Sequence, residues 1–129
     1  MTNPQTITQL IEELQAAEVG TRELDLGIAK ACGHEYGKRE SVDLESRSFT
    51  IYQAEKEYST SIDAAMTAIR EGWEWVEGRI VRRGGDYVGA AHVLRELSQG
   101  TITKGWHKRH EIAICIASLY AILKELETT

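Results

Sequence analysis

The chain has 129 residues, 42% of them apolar and 27% charged, which suits a single domain over residues 1–129 with a hydrophobic core. Its formal net charge of −5 argues against a nucleic-acid-binding protein, because such binding depends mainly on neutralising phosphates, although a local basic patch could still provide it. The first residues lack the basic and the apolar regions of a signal peptide, and no apolar stretch is long enough to span a membrane. We therefore expect a cytoplasmic protein that does not bind a membrane.

The spacing of apolar residues predicts two amphipathic helices at the start of the chain. Thr6 is expected to cap the first helix, with Gln9 as its capping-box partner. Thr21 is expected to cap the second helix, and Gly33 suits the position just after its end. Residues 34–48 are polar and give no clear assignment.

A short strand and a third helix are predicted next. Residues 49–52 are β-prone, which favours a strand. The hydroxyl side chains at positions 59 to 61 offer a cap for the third helix, which is expected to end at Gly72. Trp73 should then enter a sheet and fill part of the core.

The rest of the chain predicts a hairpin and a long helix. Residues 73–81 and 87–94 read as two strands joined by a glycine turn at 83–86. Residues 98–104 are loop-like, and the last helix is expected from about 108 to about 127. The predicted fold class is therefore α+β, with a small antiparallel sheet covered by helices and a long C-terminal helix.

The last helix is apolar on most of its sides. Such a helix lies at the centre of the packing or is shared with a partner chain. In the second case the protein would be a homo-oligomer, and Ile114 or Tyr120 could line a symmetric interface.

Two stretches, "GTRELDLGIAKACG" and "EYSTSIDAAMTAIREGWEWVEGRI", resemble the small phage and prophage proteins grouped as the phage ABA sandwich domain. The final "HEIAICIASLYAIL" is similar to that family's last helix in position and composition. Arg70 stands where the family usually has proline, and residues 34–57 lie outside the resemblance. The resemblance implies a helix–sheet–helix sandwich and a phage or prophage context, and it brings no established activity. The matching positions are Arg22, Glu23, Leu24, Asp25, Ile28, Ala29, Gly33, Tyr58, Ser59, Ser61, Asp63, Ala64, Ala65, Glu71, Gly72, Trp73 and Trp75.

The stretch "GWHKRHE" holds the first candidate contact surface, formed by Trp106, His107, Lys108, Arg109 and His110. Cations at a helix start oppose the macrodipole, at a cost of about 0.3–1 kcal/mol each. The same helix start would attract a phosphate or carboxylate, and the tryptophan could stack on a base. Alternatively, the indole fills the edge of the core while the cations are solvated. The two histidines could face one way, but a zinc site needs three or four ligands, so no metal is predicted.

The second basic patch lies at the hairpin, beside the glycine turn, and comprises Arg79, Arg82 and Arg83. Arg82 and Arg83 are its candidate contact residues, and a solvated turn is the alternative. Cys32 and His34 could form a thiol–imidazole pair, but a buried structural thiol is unreactive. No catalytic motif is present, so we expect a protein without enzymatic activity or cofactor.

Three functions stay open. The first is a phage accessory protein in the host cytoplasm that binds a host protein, for example to inhibit an antiviral defence component. The second is a small-molecule binder that sequesters a nucleotide or another anionic ligand. The third is a structural or DNA-associated phage protein, which the acidic composition disfavours.

Overall fold

The computed structural model contains both helices and strands and describes residues 3–34, 36–42, 48–54 and 56–127. Within those ranges, each helix is too short or too polar to span a lipid bilayer. The elements are α1 (Pro4–Ala16), α2 (Arg22–Cys32), β1 (Tyr36–Val42), β2 (Ser48–Ala54), α3 (Ile62–Met66), β3 (Trp73–Arg83), β4 (Asp86–Glu96), β5 (Ile102–His107) and α4 (His110–Glu127).

The first helix begins earlier than its sequence pattern suggested. The Asn3 side chain accepts a hydrogen bond from the Thr6 N–H at 2.9 Å, and Pro4 occupies the first helical turn. The prediction of Thr6 as the cap is therefore wrong. Proline suits a first turn because its fixed φ is helical and its missing N–H would have had no partner there.

The caps of α2 are confirmed, and those of α3 are confirmed in part. Thr21 accepts from the Leu24 N–H at 3.2 Å, and Gly33 ends α2 with a φ of 73°. Ser61 caps α3, which ends at Met66 and so falls short of the predicted Gly72.

The main sheet has three antiparallel strands in the order β3-β4-β5. The predicted hairpin is confirmed, and its turn residues Gly84 and Gly85 have φ values of 61° and 89°, which glycine adopts without strain. The loop predicted at 98–104 is wrong in part, because Ile102 begins strand β5. Strands β1 and β2 form a separate antiparallel hairpin, which confirms the predicted strand at 49–52 and adds β1.

Helix α4 is the middle layer of the protein. It packs on β4 and β5 on one side and on α1, α2 and α3 on the other. Ile114 is fully enclosed, so the wide apolar surface of α4 is explained by its central position. Tyr120 is partly buried and packs on the same core, where its hydroxyl accepts from Gln15 Nε2 at 3.4 Å.

The α+β class, the small antiparallel sheet and the long C-terminal helix are confirmed. The layers run sheet, α4, then α1 to α3. The resemblance implied helices on both faces of the sheet, whereas the helical layers among the described elements stack on one face. We call the face toward α4 the inner face and the opposite one the outer face.

Two contacts set the distance between α4 and the sheet. A β-carbon added to Gly105 would lie 2.0 Å from the Ala113 carbonyl oxygen, so the helix backbone touches the strand directly. The Thr103 hydroxyl donates to the Ala117 carbonyl at 3.0 Å. At the other end, the buried Trp73 donates from Nε1 to Glu125 at 2.9 Å, which confirms its role as a core residue.

Candidate functional site

The two basic segments picked out in the sequence meet at one end of the three-stranded sheet. Strands β3 and β5 both run antiparallel to β4, so the tip of the β3–β4 hairpin and the link from β5 to α4 lie at the same end. The Tyr87 hydroxyl donates to the Lys108 carbonyl and joins the two segments directly. We call this region the basic end, which comprises Arg82, Arg83, Tyr87, Trp106, Lys108 and Arg109.

The link from β5 to α4 holds the Arg109 side chain in place. Lys108 and Arg109 precede α4, which begins at His110. The Arg109 guanidinium donates from Nε to the Glu18 carbonyl at 2.9 Å and lies 3.9 Å from a Glu111 carboxylate oxygen. These acceptors offset the unfavourable position of a cation before a helix and hold the Arg109 side chain in one place.

His107 serves the fold and is not part of the exposed surface. Its ring is buried, donates from Nε2 to the Ala17 carbonyl at 2.6 Å and accepts from the Arg109 N–H at Nδ1 at 2.9 Å. With both ring nitrogens engaged, the imidazole is neutral and fixes the link against the end of α1. His107 and His110 therefore face different neighbours.

His110 ends a hydrogen-bonded chain across the inner face. Trp75 donates from Nε1 to His92 Nδ1 at 3.0 Å, so the proton of His92 lies on Nε2. That nitrogen is 2.8 Å from His110 Nδ1 and donates to it. Burial, and after it the charge of His110, lowers the pKa of the His92 imidazole below its usual value. A proton on His92 Nδ1 would break the bond from Trp75, so this hydrogen-bonded chain requires His92 to be neutral.

Aromatic side chains flank the cations on both faces of the sheet. The Tyr87 ring stacks on His110 at 6.4 Å and stays 47% exposed on the inner face. On the outer face Trp106 is 48% exposed and covers Gly89, where an added β-carbon would lie 2.9 Å from the indole. One side of the Trp106 ring thus packs on strand β4, and the rest of the ring is exposed to solvent.

The hairpin side of the basic end is a tight turn. Arg82 donates to the Gly85 carbonyl at 3.2 Å, and Arg83 pairs in the register with Asp86. Beside the link, a groove of about 510 Å³ separates strand β5 from the end of α1. Its lining comprises Gln15, Ala16, Ala17, Glu18, Val19, Trp106, His107, Lys108 and Arg109.

The thiol–imidazole pair does not form. Burial raises the pKa of the Cys32 thiol to about 11, and His34 instead contacts the Tyr58 hydroxyl at 2.6 Å. Cys115 is buried, and burial also raises its pKa. In the part of the chain that the structure describes, no three histidine, cysteine or acidic side chains gather as metal ligands would.

Sequence reasoning missed Tyr87 and Trp75 as members of the site. Tyr87 directly follows the glycine turn, which is a signal for an exposed position near a hairpin tip. Trp75 joins the site only through its bond to His92, on the neighbouring strand. That contact depends on strand register, which a local pattern does not contain.

Comparison with protein-family models, curated proteins and solved structures finds no match to this chain. The fold and the site define an α+β protein whose exposed sheet end combines cations with aromatic side chains. The resemblance to the phage ABA sandwich family stays a prediction.

Proposed function

We propose that the protein acts by binding, and that the basic end contacts an acidic surface on a partner protein. The observation that carries the proposal is the meeting of two basic segments through the Tyr87–Lys108 contact. Four cations thereby gather at one end of a chain whose net charge is −5. The nearby carboxylates are Glu18, Asp86 and Glu111, and Glu111 is largely covered, so the four cations outnumber the carboxylates that a partner meets.

The side chains present are those that supply binding energy at protein interfaces. Arginine, tyrosine and tryptophan are enriched among the residues that dominate such interfaces. Tyr87 and Trp106 are held by contacts on one side and exposed on the other. Arg109 is already ordered by the Glu18 carbonyl. A surface ordered in advance loses less conformational entropy on binding.

The partner we propose is a host protein, and specifically a component of antiviral defence. The support for this step is the resemblance to phage and prophage proteins together with the charge of the basic end. Binding to this partner would take place in the host cytoplasm and would need no enzymatic step.

A nucleotide or another phosphate-bearing small molecule is the second candidate. The groove beside Trp106 favours it, because an exposed indole next to cations suits a base and its phosphates. Association with DNA is the third candidate and is the least supported, given the overall negative charge.

The test compares charge reversal at the basic end with charge reversal elsewhere. The double variant Arg83→Glu/Lys108→Glu removes positive charge from both segments. The matched control Lys104→Glu/Lys124→Glu changes net charge equally at exposed positions outside the basic end. Each tagged protein is used to capture partners from a bacterial lysate, with quantitative mass spectrometry, and is titrated with ATP by calorimetry.

The proposal expects a protein partner that the native chain and the control retain and that the double variant loses. Loss of ATP binding in the double variant, without any protein partner, would favour the second candidate. Equal capture by all three proteins would overturn the role of the basic end.

A further inference from the structure

Strand β3 is a long sheet edge. It has 11 residues and is hydrogen-bonded to β4 on one side, while the order β3-β4-β5 leaves its other side at the border of the sheet. Three large apolar side chains on it are exposed: Trp75 at 42%, Val76 at 41% and Ile80 at 55%. A long edge strand with exposed apolar side chains is a template for pairing with another strand.

The charges along β3 change sign about Gly78. Glu77 precedes that glycine and Arg79 follows it, both on the outer face, since they pair with Val93 and Ala91 of β4. Edge strands that avoid pairing carry charges that repel a second copy. Here an antiparallel second copy would set opposite charges against each other.

The apolar side chains of β3, like its charges, are arranged so that a second antiparallel copy could contact them. In a regular strand, Trp75 and Ile80 would point to opposite faces, because they are five residues apart. Val76 is an extra residue that bulges between Trp75 and Glu77. The bulge brings Trp75 onto the inner face, where Ile80 also lies.

We propose that β3 pairs antiparallel with β3 of a second copy of this chain, about a two-fold axis at Gly78. Glu77 of each copy then lies opposite Arg79 of the other. Ile80 of each copy lies opposite the Trp75–Val76 bulge of the other. Since the axis repeats every contact, the interface contains two ion pairs and two apolar contacts.

Forming this interface disrupts little in the single chain. Glu77 and Arg79 contact each other at 3.3 Å, but both side chains are exposed, and such a pair contributes little to stability. At the axis, Gly78 has no side chain, and His92 already fills the space above it on the inner face. Since side chains project to the faces of a sheet, glycine at the axis means that neither copy adds a side chain that would crowd its counterpart on the inner face.

Pairing would join two sheets into one of six strands. Because the paired strands run in opposite directions, the two copies of the basic end lie at opposite ends of the dimer. The protein would then present two equivalent contact surfaces, which raises avidity for a partner that is itself repeated. The dimer is independent of the proposed function, and either can fail without the other.

The experiment measures association by sedimentation velocity over a range of protein concentrations. We expect the native chain to sediment as a dimer. Glu77→Arg places two pairs of arginines opposite each other, and Arg79→Glu places two pairs of glutamates. Each single variant should weaken dimerisation on the order of tenfold or more, since two cross-strand pairs change from attraction to repulsion.

Two rescue arms make the result specific. The double variant Glu77→Arg/Arg79→Glu restores opposite charges and should dimerise like the native chain. An equimolar mixture of the two single variants should form heterodimers, because one copy is then wholly basic and the other wholly acidic at these positions. Lys104→Glu, on the opposite edge strand β5, is the control and should change nothing.

Three results would overturn the proposal. One is a native chain that stays monomeric at the highest concentration. Another is a dimer that both single variants form as well as the native chain does. The third is a mixture of the single variants that fails to associate while each variant shows the native circular dichroism spectrum.

Discussion

Gly105 is the point at which α4 and the sheet approach most closely, and replacing it with alanine should strongly destabilise the protein. The new β-carbon would lie 2.0 Å from the Ala113 carbonyl oxygen and 2.5 Å from the Ala117 amide nitrogen. Both atoms belong to the backbone of α4, so no side-chain rotation relieves the overlap. Helix α4 would have to move away from β5 by about 1 Å or more, which loosens the middle layer of the fold.

The expected cost exceeds that of ordinary overpacking, which is about 1–3 kcal/mol. We expect Gly105→Ala to lower the free energy of unfolding by about 3 kcal/mol or more, which corresponds to about 10–15 °C in melting temperature for a domain of this size. Urea unfolding followed by circular dichroism measures the first quantity, and differential scanning calorimetry the second.

Gly27→Ala is the matched control. Its β-carbon would meet only the Leu10 side chain, at 3.0 Å, and that methyl group can shift. Alanine also favours a helix interior over glycine by about 0.5–1 kcal/mol. We expect this variant to be as stable as the native chain or slightly more stable. If Gly105→Ala unfolded within about 1 kcal/mol of the control, the close packing of α4 on β5 would be refuted.

Three further predictions concern side chains. Asp25→Ala should cost about 2–4 kcal/mol in urea unfolding, because one oxygen of the buried carboxylate accepts from the Ser59 N–H at 2.8 Å and from the Ser59 hydroxyl at 2.6 Å. The variant would leave the buried Ser59 N–H without an acceptor, while the hydroxyl would keep only the Thr21 carbonyl at 3.1 Å. Burial lowers the pKa of His92 in the folded state, so stability should be full above the unfolded pKa of about 6.5 and fall as pH drops below it. His92→Gln should therefore reduce the loss of stability between about pH 7 and pH 5; an unchanged loss would contradict the role of His92. Tyr87→Phe should cost about 1 kcal/mol, since it removes the hydrogen bond to the Lys108 carbonyl, and an unaltered melting temperature would count against that contact.

The sequence predicts elements well where side chains decide the local structure. Thr21 and Gly33 mark the ends of α2, and the glycine pair Gly84–Gly85 marks the hairpin. Each of these positions needs a capping side chain or a positive φ, and few other residues meet that need. The prediction failed at Thr6, where two competing caps lie three residues apart. Pro4 decides between them in favour of Asn3.

Strand β5 shows why other parts of the fold could not be predicted. Its inward positions are Thr103, Gly105 and His107, none of which is an ordinary core residue. Glycine fits at position 105 because the backbone of α4 lies directly on the strand and leaves no room for a side chain. The threonine and the histidine are accommodated because each donates a hydrogen bond to a backbone carbonyl group, of Ala117 and Ala17 respectively. The alternation of apolar and polar residues that normally indicates a strand is therefore absent.

The missed strand also concealed the candidate site. Both basic segments are visible in the sequence, but whether they meet depends on the number of strands between them. With a loop at 98–104, the position of Lys108 relative to the hairpin tip is undetermined. With β5 in place, β3 and β5 run in the same direction, so Arg83 and Lys108 must lie at the same end of the sheet. One strand assignment thus decides whether the chain has two scattered basic segments or one surface. The bulge at Val76 acts in the same way on β3, where one extra residue places Trp75 and Ile80 on a common face.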